Sequence, residues 1–315
     1  MKPLSLLFLL SSAWACSEVQ AARISLSDYK RILFIGDSIT HAGHYVSYIE
    51  TWLRQNDRRL PELIQIGLPS EPPMGLSEPA HPWPRPNVHE RLKRALRKTD
   101  PDLVFACYGM NDGIYHPFSE ERFATYQAGL EKLIAEVDRQ GAKLILLTSP
   151  PFDPIKLKGT PKIRPLGAES YAWFAIYAGY DDVVKTYSRY GLLKERDKRV
   201  LATVDFHAAV TKALAKQRKT IPDFSFHPDG VHLNADGHKV MATAIMRKLQ
   251  MTESLEDLDE QLFKLVHERQ TLLHYSWLTH VGHKRPSTKA GIPLPEAQKQ
   301  AKVLEEKIQG HLHGR

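Results

Sequence analysis

Three residues of this chain have the types and spacing for nucleophilic catalysis. Ser38 lies in the run Gly36-Asp37-Ser38-Ile39-Thr40, and Asp229 precedes His232 by three positions in Asp229-Gly230-Val231-His232. A serine hydroxyl is a weak nucleophile at neutral pH and needs an adjacent base. His232 can take its proton and later return it to a leaving group. At a spacing of three, in a turn or first helical turn, the Asp229 carboxylate reaches the imidazole Nδ1–H. There it fixes the tautomer and stabilises the imidazolium. Two further features supply uncharged hydrogen-bond donors. Gly67 ends an apolar run, and glycine lets backbone approach a ligand closely. Asn111, in Gly109-Met110-Asn111-Asp112, offers a side-chain NH₂. Taken singly, each of these is ordinary turn chemistry.

Their positions relative to the predicted elements give them weight. Short apolar runs alternate with amphipathic stretches. Strands are expected at 31–35, 63–66, 102–108, 143–148 and 200–204. Helices are expected at 44–54, within 86–98 (Asn87 as N-cap), at 119–140 (Ser119 as cap, Gly141 as stop), after the fifth strand, and at 234–249. This alternation predicts a three-layer α/β/α fold with a central parallel sheet of about five strands, flavodoxin-like in type. Ligands in such sheets bind beyond the carboxyl ends of the strands. Gly36-Asp37-Ser38, Gly67 and Gly109 to Asp112 each follow a predicted strand directly.

The order of these four features resembles the SGNH (GDSL-type) hydrolase superfamily over roughly residues 30–250. The resemblance implies an esterase with Ser38 as nucleophile, His232 as base and Asp229 as its partner. It also implies an oxyanion hole made by the Ser38 and Gly67 backbone N–H groups and the Asn111 amide. Removing one such donor typically costs about 2.7–4 kcal/mol in the barrier. Many members carry a second glycine shortly after the first. Here Leu68-Pro69-Ser70-Glu71 follows instead, and Gly75 is the alternative to Gly67.

Two segments interrupt the alternation. Residues 68–90 hold seven prolines and must form an irregular loop. Residues 150–199 form a long insertion rich in aromatic residues. From these come candidates for substrate contact: Trp83, Trp173 and Tyr177 for stacking on a sugar ring, and His116 beside the Asn111 turn. For Trp173 and Tyr177 the competing expectation is plain packing at helical spacing. Asp37 is expected to anchor the nucleophile turn. His41 and His44 are expected either to line the acyl site or to lie on an exposed helix. His227 and His238 flank His232 without a carboxylate cluster, so no metal and no cofactor is expected.

The N-terminus reads as a secretory signal over residues 1–21. Lys2 precedes a mainly apolar run, Leu4 to Leu10, and small residues follow. That run is too short for a bilayer, which needs about 20 residues. Cleavage is expected after Ala15 or Ala21, with lipidation of Cys16 as a minor alternative. Domain limits are expected at 22–250 for the hydrolase and 251–315 for a helical extension with helices at 253–273 and 295–308. Cys107, in an apolar run, is expected to be buried. The net charge of +7 is dispersed in mixed runs, and no nucleic-acid motif accompanies it. The expected substrate is a small-molecule or polysaccharide ester, with an O-acetylated carbohydrate favoured. The rivals are a lipase, arylesterase or thioesterase of the same superfamily, and a silent glycan-binding protein on this fold.

Overall fold

The computed structural model describes residues 24–314 apart from Asp57 and Glu253. The expected signal segment and Cys16 lie outside the described residues. Strand β1 (Arg31–Gly36) runs into one turn of helix, α1 (Ser38–His41), and then α2 (His44–Gln55). Next come β2 (Glu62–Gln65), α3 (Val88–Thr99), β3 (Leu103–Cys107), α4 (Glu120–Arg139) and β4 (Lys143–Leu147). The insertion carries the two-residue strands β5 (Ile163–Arg164) and β6 (Ile176–Tyr177), then α5 (Tyr180–Leu193). Strand β7 (Ala202–Val204) and helices α6 (Phe206–Arg218) and α7 (Ala235–Lys248) complete the alternation. The tail forms α8 (Glu260–Val281) and α9 (Leu294–His313).

The main sheet is parallel, in the order β2-β1-β3-β4-β7. Ile32, Leu33, Phe34 and Ile35 are all buried, as a strand covered by helices on both faces requires. The order reverses between β1 and β3, which opens a crevice at their carboxyl ends. Helix starts follow their caps. Asn87 accepts from His89 N–H (2.9 Å), Ser119 from Arg122 N–H (3.3 Å) and Asn234 from Gly237 N–H (3.0 Å).

The structure differs from the sequence expectation in two places. The second half of the insertion is helical, because Tyr180, Val183, Val184 and Tyr187 form one buried stripe. Trp173 and Tyr177 both precede that helix, so helical packing does not explain them. The tail helices are also displaced. Asp259 caps α8 by accepting from Gln261 and Leu262 N–H, so the helix starts later than 253; it runs on to Gly282 at φ +80°.

The C-terminal helices share the main core through Trp277, Leu278, Val281, Leu294, Ala297 and Ala301. Helix α8 lies along β2. Gln270 Nε2 donates to Leu63 O (3.3 Å), and His274 Nδ1 donates to Gln65 O (3.0 Å).

The proline-rich loop is pinned by two buried ion pairs. Arg91 Nε and Nη2 each lie 2.7 Å from Glu71, whose Oε2 also accepts from Tyr108 Oη (2.8 Å). Arg85 makes the matching two-point pair with Glu78 (2.7 and 2.7 Å). Loop order here comes from paired charges rather than from backbone periodicity.

Candidate active site

Ser38 opens α1 immediately after β1, at the switch point of the sheet. Asp37 caps this turn, its Oδ1 accepting from Ile39 N–H (2.9 Å). The Ser38 N–H therefore belongs to the first helical turn, whose amides have no intrahelical acceptor.

His232 Nε2 stands 2.8 Å from Ser38 Oγ, and His232 Nδ1 stands 2.6 Å from Asp229 Oδ2. The other carboxylate oxygen, Asp229 Oδ1, accepts from Val231 N–H (3.0 Å) and His232 N–H (2.8 Å). The Asp229 contact assigns the proton of neutral His232 to Nδ1 and turns the Nε2 lone pair toward the serine hydroxyl. Burial works to lower the His232 pKa. The hydrogen bond and charge of Asp229 outweigh it and hold the imidazole above its ordinary 6.5. Burial likewise opposes the Asp229 charge, and His232 with two backbone N–H groups brings that carboxyl well below its usual range. Both side chains remain about half exposed, at 49% and 46%, so a substrate can reach the pair.

Asn111 is buried and held at both ends. Its Nδ2 donates to Asp37 Oδ2 (2.9 Å), while Oδ1 accepts from Arg85 Nη1 (2.7 Å) and Tyr115 Oη (3.2 Å). With two donors on one side and a carboxylate on the other, only one amide orientation satisfies the network. One Nδ2 hydrogen is left for another acceptor. Asp37 is pushed up to about 6 by burial, offset by Ile39 N–H, His232 and Asn111. After Asn111 the backbone turns through Ile114 at φ +44° and Tyr115 at φ +62°. A β-branched residue in the left-handed region is costly, and such strain concentrates at functional sites.

Gly67 packs directly on α1. A Cβ there would meet His41 N at 2.3 Å and Thr40 C at 2.6 Å, so only glycine fits. Its carbonyl accepts from His41 Nδ1 (3.1 Å). Gly75, by contrast, lies against Asn87 at the start of α3. Ser70, left-handed at φ +65°, stands where a second glycine was sought, and its carbonyl lies 3.4 Å from the same Arg85 Nη1 that bonds Asn111.

The remaining candidates are dispersed. His116 Nδ1 bonds Ile114 O (2.6 Å), and its ring tilts on Tyr171. Tyr177 is tied to the Asn111 turn through its N–H to Tyr115 O (3.0 Å). Trp173 is 51% exposed with Phe174 (46%) at the tip of the insertion, and its N–H reaches Glu78 Oε1 (3.3 Å). Trp83 faces Arg285 in the α8–α9 connector. His41 and His44 are half-buried against α8 rather than on an exposed helix face. His41 Nδ1 lies 2.9 Å from His274 Nε2, and His44 stacks on His267. His227 and His238 are buried, His227 with Nδ1 3.9 Å from Asp153 and His238 parallel to Tyr45. Among the described residues no group of three or more His, Cys, Asp or Glu is placed to hold a metal ion.

Sequence reasoning missed Arg85, Tyr115 and Glu78. An arginine in a proline-rich loop has no periodicity to mark it. The only available hint was that this loop carries acid–base pairs among residues otherwise suited to a turn.

A parallel sheet of this order, with a hydrogen-bonded Ser–His–Asp chain at its switch point, has the architecture of an α/β serine hydrolase. The GDSL-like lipase/acylhydrolase family matches residues 34–240, and the chain belongs to it. It is a carboxylic ester hydrolase. Among curated proteins none matches. Solved structures share the fold. A gut microbial diltiazem-metabolizing enzyme superposes with a TM-score of 0.52 at 16% identity, over 70% of this chain and 47% of that one. This chain thus spans about half the length of that enzyme. An acetylxylan esterase from Geobacillus stearothermophilus superposes with a TM-score of 0.52 at 21% identity, over 71% of this chain and 96% of that one. No described helix is long and apolar enough to cross a membrane.

Proposed function

We propose that this esterase is exported and removes O-acetyl groups from carbohydrate through an acyl-Ser38 intermediate. His232 takes the Ser38 proton as the oxygen attacks the ester carbonyl, and Asp229 stabilises the imidazolium that forms. The developing oxyanion accepts from the Ser38 N–H, the free Nδ2 hydrogen of Asn111 and a backbone N–H of the 67–70 turn, with Gly67 as the donor expected there. His232 then gives its proton to the leaving alkoxide. A water activated by the same imidazole releases the acid.

The observation that carries the substrate class is the exposed Trp173–Phe174 tip, moored through Glu78 to the loop that contacts Asn111. Exposed aromatic faces tied by hydrogen bonds to the Asn111 turn suit a sugar ring, and the acetylxylan esterase supports the same class by fold. The signal-like residues 1–21 support export. Acetate release from acetylated xylo-oligosaccharides, measured beside hydrolysis of p-nitrophenyl acetate and palmitate, tests it. We expect release from the oligosaccharide, and a Trp173→Ala enzyme with raised KM for it but unchanged KM for p-nitrophenyl acetate. Turnover confined to the palmitate ester overturns the assignment.

The mechanism also sets a pH profile. Only neutral His232 accepts the proton, and Asp229 holds its pKa above 6.5. kcat/KM should therefore rise with pH and level off above a midpoint higher than 6.5. In an Asp229→Asn enzyme the midpoint should fall. A wild-type midpoint below 6.5 contradicts the hold of Asp229 on the imidazolium.

A further inference from the structure

The buried Arg85–Glu78 pair does more than close a loop. Nε and Nη2 of Arg85 take both oxygens of Glu78, while Nη1 reaches across to Asn111 Oδ1 at 2.7 Å. Both side chains are fully removed from water. A buried ion pair is costly to desolvate and is tolerated when every remaining donor finds an acceptor. Here the third donor is spent on a neutral amide from the turn after another strand. The Tyr115 ring lies against the same guanidinium, 5.4 Å from its carbon, and the Tyr115 hydroxyl supplies the second donor to Oδ1.

We propose that Arg85 is a positioning residue for the oxyanion donor, acting through Asn111. Its charge-assisted bond prevents the amide from flipping or rotating, so the hydrogen not taken by Asp37 keeps its direction. A cation on the amide oxygen also draws electron density toward that oxygen and leaves the Nδ2–H a stronger donor. Glu78, which neutralises Arg85, also accepts the Trp173 N–H and so ties the aromatic tip to the same device. The inference rests on the reading of Asn111 as an oxyanion donor.

A double-mutant cycle of Arg85→Met and Asn111→Ala, assayed on p-nitrophenyl acetate, tests it. Arg85→Met should lower kcat about 10–100-fold with KM within about 2-fold, the range for a hydrogen bond to a charged group. In the Asn111→Ala background it should cost less than about 2-fold. Tyr115→Phe removes the second donor without stranding Glu78 and keeps the test open if Arg85→Met does not fold. It should lower kcat about 3-fold in the wild type and not at all beside Asn111→Ala. An impaired Asn111→Ala enzyme in which Arg85→Met and Tyr115→Phe cost the same as in the wild type overturns this inference alone. An Asn111→Ala enzyme with undiminished kcat overturns the oxyanion reading and this inference together.

Discussion

A Ser38→Ala enzyme is expected to lose ester turnover by about 10⁴-fold or more while keeping its fold. The side chain is small and half-buried at the start of α1, and its Oγ has His232 Nε2 at 2.8 Å. Removing it leaves no structural donor orphaned, since the α1 cap is made by Asp37. The loss therefore reports chemistry rather than folding. A residual rate above that of water is also expected, because the amides and Asn111 still stabilise charge on the carbonyl oxygen. Steady-state assay on p-nitrophenyl acetate beside a thermal melt is sufficient. Retention of more than a tenth of the wild-type kcat would remove Ser38 as nucleophile, and labelling by a fluorophosphonate probe would reveal any substitute.

The second large effect is on stability, and it runs with acid. Burial holds His238 and His274 down to about 3, and His227 and His267 to about 4, against 6.5 in the unfolded chain. Below pH 6.5 the unfolded chain gains protons on these rings that the folded chain does not. The stability each neutral ring contributes is present above 6.5 and is lost as pH falls toward 4. Each fully buried ring contributes a slope of about 1.4 kcal/mol per pH unit. His227, His238 and His274 contribute alike and the half-buried His267 less, so net of opposing groups a loss on the order of 2 kcal/mol per unit is expected between pH 6 and 4. Asp37 and Asp112, raised by burial, and His232, raised by Asp229, act in the opposite sense over part of this window. They cancel about half of the slope, and the four histidines together keep its sign. Against the roughly 5–15 kcal/mol stability of a domain such a loss is a large fraction, so the melting temperature should fall steadily from pH 6 to 4. Melting temperatures from pH 7 to 4 measure this, and His238→Gln should flatten the curve. A melting temperature that stays level across that range would show the rings to be hydrated.

Three of these rings lie where the tail meets the helices that follow Ser38. His238 on α7 and His267 on α8 both contact His44, while His274 contacts His41, which bonds the Gly67 carbonyl. The first loosening under acid should therefore reach the turn after β2.

The sheet was legible from sequence because each strand is a short run of apolar residues ended by glycine, proline or polar turn residues. The catalytic candidates were legible because they follow those runs directly, at Gly36-Asp37-Ser38 and at Gly109 to Asp112. Asp229 and His232 needed only a local turn. Contacts across long stretches of chain were not legible. His41 finds its partner 233 positions away on α8, a pairing no periodicity records. Arg85 was hidden for a related reason: its acceptors come from a loop and from the turn after β3. Helix α5 escaped because Gly191 and the polar residues between its tyrosines obscure the apolar stripe. That Gly67 rather than Gly75 packs on α1 is a property of packing rather than of spacing.

Helix α8 has a further effect on the sheet. Strand β2 pairs with β1 on one side only, so its other side would present a row of main-chain carbonyls. Gln270 and His274 donate to two of them, at Leu63 and Gln65. An open strand of this kind is a template on which a second extended chain can add. The tail fills that place with side chains from a helix, which bond to the strand but cannot themselves be extended. The sheet is thereby closed to growth on the side nearest Ser38.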